Sequence, residues 1–377
     1  MSLSHLRHSS CSLLTSMLSD TDDVCTDDQE KKEELERCWS DLPIDIIDLI
    51  RLSLFAGDSG AFNATCRSWR STTTIFRPLP PPVDCPHHQS PCLMFIEKYG
   101  RCKFFHPIYN DFYFMEIPEI ANARLRYSRF GWLLMSQEDS NTKNIFFFNP
   151  FTRIKIELPR IPFEDGFVSL CFTASPTSSD CVVMGVSGFL FYSVAMIRLG
   201  DQNWSVEDND KKLRLAECHP ILYRGRYYCL GADGNVGIYN PKDHTCDVIL
   251  KPLETKVIES LRQAFFAEFD GKLLAVFVYG YERKVHVWRL NLSKMNWFPV
   301  QSLGDKMLFV SRGSSFVETA SVSGMANKIY FPKFYGNSGI FYSLRTKKYH
   351  SYTGGFSSQT GHELRDFPLS TWIKPTF

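Results

Sequence analysis

Tyr223-Arg224-Gly225-Arg226-Tyr227-Tyr228, followed closely by Val236-Gly237-Ile238-Tyr239-Asn240-Pro241, is the stretch on which the fold turns. A glycine turn opens the first run, and both runs are rich in aromatic and β-branched residues, so they read as two short neighbouring strands. The same turn-then-strand unit recurs at Phe130-Gly131-Trp132-Leu133-Leu134, Asp180-Cys181-Val182-Val183-Met184, Asp270-Gly271-Lys272-Leu273-Leu274 and Ala326-Asn327-Lys328-Ile329-Tyr330. Its starts lie about 45–55 residues apart, within the range of a propeller blade repeat. In most units a second strand follows, as at Ile145–Pro150, Val285–Leu290 and Ile340–Leu344. Two strands joined by a tight turn form the inner part of a blade. From about residue 91 onward helical periodicity is nearly absent, and about two dozen strands at four per blade predict about six blades, with seven as the alternative. Closing the strands into a ring also removes the free edges that promote aggregation.

Upstream the pattern changes. Trp39-Ser40-Asp41-Leu42-Pro43-Ile44-Asp45-Ile46-Ile47-Asp48-Leu49-Ile50 predicts a helix, with Asp41 and Pro43 suited to its start and Asp45 to its positive end. Leu42, Ile46, Leu49 and Ile50 make one apolar stripe, with Asp45, Asp48 and Arg51 on the wet side. A second run places Phe62, Cys66 and Trp69 on one face, with Arg67 and Arg70 pointing away. Two helices of this length bury too little to stand alone, so something else must cover them. Arg77-Pro78-Leu79-Pro80-Pro81-Pro82-Val83-Asp84 must be extended and marks a boundary. The expected organisation is a disordered acidic tail over 1–37, a helical module over 38–76, a proline-rich linker over 77–90 and a β domain over 91–377. The fold class is therefore mostly β with a small α module.

Composition narrows the function. With 42 basic and 41 acidic residues in 377, the formal net charge of +1 gives no electrostatic footprint for nucleic acid or an anionic membrane. The twelve cysteines have no repeating spacing and no secretory signal precedes them, so reduced thiols in an intracellular compartment, nucleus and/or cytoplasm, are expected. No stretch reaches the roughly 18 uninterrupted apolar residues of a membrane helix, which predicts a soluble chain. Arg7 and the serines of the first 19 residues make a poor organellar leader, and residues 20–36 read as an acidic spacer.

The helical module resembles an F-box, the motif that docks a Skp-type adaptor in cullin-based ubiquitin ligases. The resemblance lies in the Leu42-Pro43 opening, the Asp45–Ile50 helix and the Phe62-x-x-x-Cys66-x-x-Trp69-Arg70 close. It implies that Leu42 and Pro43 touch the adaptor, that Ile46, Leu49 and Ile50 share the interface and the module's core, and that Trp69 pins the last helix, with Phe62, Cys66 and Trp69 also counted among the adaptor-binding residues. Asp58-Ser59-Gly60 and Thr65 depart from the family pattern, and the glycine weakens the second helix's start by up to about 1 kcal/mol. The β domain in turn resembles the kelch-like, F-box-associated propeller of a large plant family. The matching segments include Gly131-Trp132-Leu133-Leu134, Phe148–Arg153, Tyr223–Tyr228, Trp288-Arg289-Leu290 with Trp297, and Trp372-Ile373-Lys374-Pro375. True kelch signatures are missing. Together the two resemblances imply a non-catalytic substrate receptor of an SCF-type ligase, whose partners are a Skp adaptor, through it a cullin-RING complex, and a target protein held by the propeller.

Other patterns suggest chemistry without completing it. Gly57-Asp58-Ser59-Gly60 copies the tetrapeptide around a protease serine, yet only His5 and His8 precede it, both in the tail. Cys85, His87, His88 and Cys92 are zinc-type ligands without paired spacing, and Cys218-His219 suits a core or loop. Asp233-Gly234-Asn235-Val236-Gly237 reads as a hairpin turn rather than a phosphate loop. No cofactor or catalytic set is expected. Most of the 31 Phe, 16 Tyr and 7 Trp must fill space between blades, but Tyr279, Tyr281, Arg312 and Tyr335 fall in expected inter-strand loops and are candidate target contacts. Two rival readings are a propeller protein that acts outside the ligase and a propeller enzyme or lectin.

Overall fold

Left-handed backbone pairs at Phe130-Gly131, Arg224-Gly225 and Asp270-Gly271, with φ of 53° and 76°, 49° and 75°, and 45° and 65°, build the hairpins of the β domain. Two successive positive φ values match the right-handed twist of the strands on either side, which is why a glycine follows the residue that starts each turn. The computed structural model describes residues 39–53, 62, 65–71, 90–139, 142–160, 167, 169–187, 192–209, 213–249, 260–367 and 369–376. The expected tail over 1–37 and all but the last residue of the linker over 77–90 lie outside them. The chain divides into a helical unit and a β unit.

In the helical unit a single turn at Trp39–Asp41 precedes helix α1 (Ile44–Ser53), and helix α2 (Arg67–Ser71) follows. The Pro43 carbonyl accepts from the amides of Ile46 and Ile47, at 3.0 and 3.1 Å, which starts α1. Asp41 sits in the preceding turn, where its carboxylate accepts the Ser40 hydroxyl at 3.1 Å. Ile47, Phe62 and Trp69 are buried, with the two rings 4.7 Å apart.

The β unit is a propeller of 27 described strands. Five sheets are regular four-stranded blades. Sheet one runs Ser370–Ile373, Cys92–Ile96, Arg101–His106, Asp111–Glu116; sheet two, Arg124–Arg129, Trp132–Asp139, Thr142–Phe148, Lys155–Leu158. Sheet three runs from Ser169–Phe172 to Ser205–Asn209, sheet four from Ile221–Tyr223 to Thr245–Ile249, and sheet five from Leu261–Phe269 to Asn296–Pro299. The remaining sheet, the sixth, has seven strands. Its extra members arise because the hairpin of Lys306–Ser311 and Ser314–Thr319 joins Lys328–Tyr335 by a parallel pairing, Met307↔Lys328 to Phe309↔Tyr330, and short strands follow its outer edge. A uniform four strands per sheet, the basis of the sequence estimate, is therefore not met.

The middle strands of the blades are buried on both faces, so they read as continuous apolar runs rather than alternating ones. In sheet two Leu133, Phe146 and Phe148 face the core shared with sheet one, while Leu134, Ile145 and Phe147 face the core shared with sheet three. Similar cores join sheets four and five, five and six, and six and one. Sheet one is completed by the last described strand, which pairs with the first at Leu93↔Trp372. The Trp372 indole is fully buried, stands 4.9 Å from the Phe309 ring and donates to the Val310 carbonyl at 3.2 Å. The hairpin's second strand, Ser314–Thr319, lies against the innermost strands of sheets five, one and two. Its turn is fixed by a 2.7 Å hydrogen bond from the Ser128 amide to the Gly313 carbonyl. The hairpin thus occupies the axis of the ring.

Candidate functional site

Two surfaces, one in each unit, carry the features of a binding protein. On α1 the side chains of Ile44 and Ile46 are 61% and 42% exposed, while Ile47 is 1% exposed. Pro43 is exposed, and Leu42 and Ile50 are half-buried; the Leu49 side chain lies outside the described residues. Cys66 is half-buried between the buried Phe62 and Trp69. The module therefore places its core on one side of α1 and leaves two isoleucines in water, an apolar excess that a single short helix does not need for itself.

In the β unit a groove of about 620 Å³ opens where sheets one and six meet. One wall is the outer part of sheet one, with Lys103 from Arg101–His106 and Asp111, Phe112 and Phe114 from the edge strand Asp111–Glu116. The facing wall is the turn of Lys328–Tyr335 and Ser338–Ser343, with Tyr335, Asn337 and Ser338, and Thr353 completes it. Asn110, at φ 50°, latches the walls together: its side-chain oxygen accepts from the Ser338 hydroxyl at 3.2 Å and the Gly339 amide at 3.3 Å. Residue 339 must be glycine, because a Cβ there would meet Tyr352 at 2.5 Å and Phe105 at 2.6 Å. The Lys103 ammonium stands 3.7 Å from the Phe112 ring centroid and 5.7 Å from that of Phe114, and the Arg101 guanidinium covers Phe114 at 4.6 Å. The Asp111 carboxylate accepts from the Phe112 amide at 2.7 Å. Phe112 is backed by Phe105 and Phe334, at 5.1 and 5.6 Å, and Tyr335 stacks on Phe356 at 4.5 Å.

Of the four candidate target contacts, Tyr335 alone lines this groove. It ends a strand rather than standing in a free loop, as does Tyr279, whose hydroxyl pairs with His286 at 2.8 Å. Tyr281 lies in a true turn, exposed and stacked on His362 at 5.7 Å. Arg312 is the tip of the axial hairpin and binds Glu217 at 2.6 Å. Sequence reading missed Phe112, Phe114 and Lys103. Their signal, alternating aromatic residues with cations opposite them on an edge strand, is also that of an ordinary core.

The KIB1-4 beta-propeller family model matches residues 104–353, well over half of the chain. The chain belongs to this family. Among curated proteins the KIB1-4 propeller chain is similar to an F-box/kelch-repeat protein of Arabidopsis thaliana, 28% identical over 84% of this chain and 90% of the relative. An Arabidopsis F-box protein is 29% identical over 80% of this chain and 78% of its own length, and a shorter one is 33% identical over 34% and 87%. It is thus a plant-type F-box protein with a propeller domain.

In this KIB1-4 propeller only some residues of the candidate chemistries fall among the described ones. The tetrapeptide Gly57–Gly60 and the residues Cys85, His87 and His88 lie outside the described residues. Cys92 is buried in sheet one, and burial pushes its thiol up to about 12, as it does for Cys102. Neither is a thiolate near neutral pH. His219 is buried against the Tyr127 ring at 5.0 Å, its Nε2 without a partner, and burial holds it down to about 4. Asp233 closes a hairpin turn by accepting from the Asn235 amide at 3.1 Å. Among the described residues no group of His, Cys, Asp and Glu could hold a metal, and no helix is long and apolar enough to cross a membrane.

Proposed function

We propose that this chain is the substrate-recognition subunit of an SCF-type ubiquitin ligase. The helical module docks a Skp-type adaptor and, through it, a cullin-RING complex, and the propeller binds the target. The chain performs no chemistry of its own. Its contribution is effective concentration: holding target and ligase on one chain makes a bimolecular encounter local. The observation that carries the reading is the water-exposed pair Ile44 and Ile46 beside the exposed Pro43, in a chain whose relatives are named F-box proteins. On this reading Leu42, Pro43, Ile46, Leu49 and Ile50 contact the adaptor, and Phe62, Cys66 and Trp69 support them. The seven-stranded sheet is taken as the sixth blade, and the site of action is intracellular, in nucleus or cytoplasm.

The test is capture of a purified Skp-type adaptor by the full chain, compared with a Leu42→Asp, Pro43→Ala double variant. Tight binding that the double variant loses is the expected result. An intact chain that captures no adaptor would overturn the reading and leave a propeller acting outside the ligase.

A further inference from the structure

The edge strand Asp111–Glu116 is the last of its sheet, and no other described strand pairs with it on the outside. Its backbone therefore presents alternating donors and acceptors to anything extended that lies along it. The face it shares with the groove carries Phe112 and Phe114, the latter 49% exposed, with Tyr335 at 44% exposure across the gap. Both walls are rigid: Phe112 rests on Phe105 and Phe334, Tyr335 rests on Phe356, and Asn110 ties one wall to the other. Rigid aromatic anchors lose little conformational freedom on binding.

Charge selects the occupant. Among the described residues Lys103 has no carboxylate partner, and its ammonium rests on the Phe112 ring. Asp111, the acid of the groove, already accepts the Phe112 amide, and Arg101 at its far end faces Glu97 and Glu116 at 3.8 and 3.9 Å. A cation on an aromatic floor, screened from water on one side, favours an incoming carboxylate. Asn337, Ser338 and Thr353 add polar groups at the rim. We propose that this groove takes an extended peptide segment of a protein partner, added as a strand along Asp111–Glu116, with a carboxylate on Lys103 and an apolar side chain between Phe114 and Tyr335. This deepens the receptor reading, on which it rests, by placing the target contact at the seam of sheets one and six rather than on the axis, which the hairpin fills.

The test uses the full chain and a fluorescent peptide of alternating glutamate and isoleucine, beside a counterpart in which lysine replaces glutamate, followed by fluorescence anisotropy. The acidic peptide is expected to bind about ten-fold or more tightly than the basic one. Lys103→Glu should reverse that preference, Phe114→Ser should weaken the acidic peptide by about five-fold or more, and Val206→Ser, an exposed change on sheet three, should change nothing. Thermal melts of each variant verify folding, and the charge reversal is read as a change of sign that misfolding does not produce. Equal binding of the two peptides, no binding of either, or an unchanged preference in Lys103→Glu would overturn the proposal. Adaptor capture is measured on the same samples. Adaptor capture without peptide selectivity defeats the groove and leaves the ligase reading; selectivity without adaptor capture does the reverse.

Discussion

At the scale of single residues, His219 shows how burial turns into a measurable dependence on pH. Its imidazole is held down to about 4, first by loss of water and then by the nearby Arg129, while its contact with the Pro220 carbonyl acts the other way. In the unfolded chain the ring takes a proton near pH 6.5, so between about 6.5 and 4 the unfolded state binds a proton that the native state does not. Stability from this residue is full above that window and falls as the pH drops through it. Lowering the pH from about 7 to 5 should cost about 2 kcal/mol through this ring alone. His219→Phe removes the titrating group and the unpartnered Nε2 together, so urea unfolding of that variant should change by about 2 kcal/mol less between the two pH values than the parent does. Equal changes for the two proteins would mean that the ring takes up its proton in the native state as readily as in the unfolded one.

At the scale of elements, neighbouring residues on α1 have opposite tasks. Ile46→Asp changes a water-facing position and should leave the melting temperature of the chain within about 2 °C of the parent while abolishing adaptor capture. Ile47→Asp puts a charge into the small core with Phe62 and Trp69, and should unfold the helical unit as judged by loss of α1 amide protection in hydrogen exchange. Loss of α1 protection in Ile46→Asp would show that this residue, too, belongs to the core. The existence of this helix was legible in the sequence because Pro43 and Asp45 mark its start. Its faces were only partly so: five apolar residues in the seven from Ile44 to Ile50 leave room for either Ile46 or Ile47 to turn inward, and packing decides. The hairpins were legible for a local reason, since Arg224-Gly225 and its equivalents state their turn within two residues. The parallel pairing of Lys306–Ser311 with Lys328–Tyr335 was not, because nothing local marks a strand that returns past its own hairpin. The groove stayed hidden for the same reason at longer range, since Phe114 and Tyr335 are more than two hundred residues apart and neither run advertises the other.

At the scale of the whole molecule, the ring depends on its final strand. Trp372 packs on Phe309 and bonds to Val310 while its strand pairs with Cys92–Ile96, so one side chain ties the two ends of the β unit to sheet six. Trp372→Ala should cost about 3–5 kcal/mol, read as a lower single transition in calorimetry. Two transitions would instead mean that sheet one melts apart from the rest. The same closure governs how the protein is made. Residues 92–96 leave the ribosome well before their strand partner, which is nearly three hundred residues further on and, at about 5–20 residues per second, arrives some tens of seconds later. Throughout that interval sheet one lacks its innermost strand and shows an apolar flank to water. A propeller built this way should lean on chaperones during synthesis, and loss of the strand Ser370–Ile373 should leave a chain that the cell destroys rather than a slightly weakened protein.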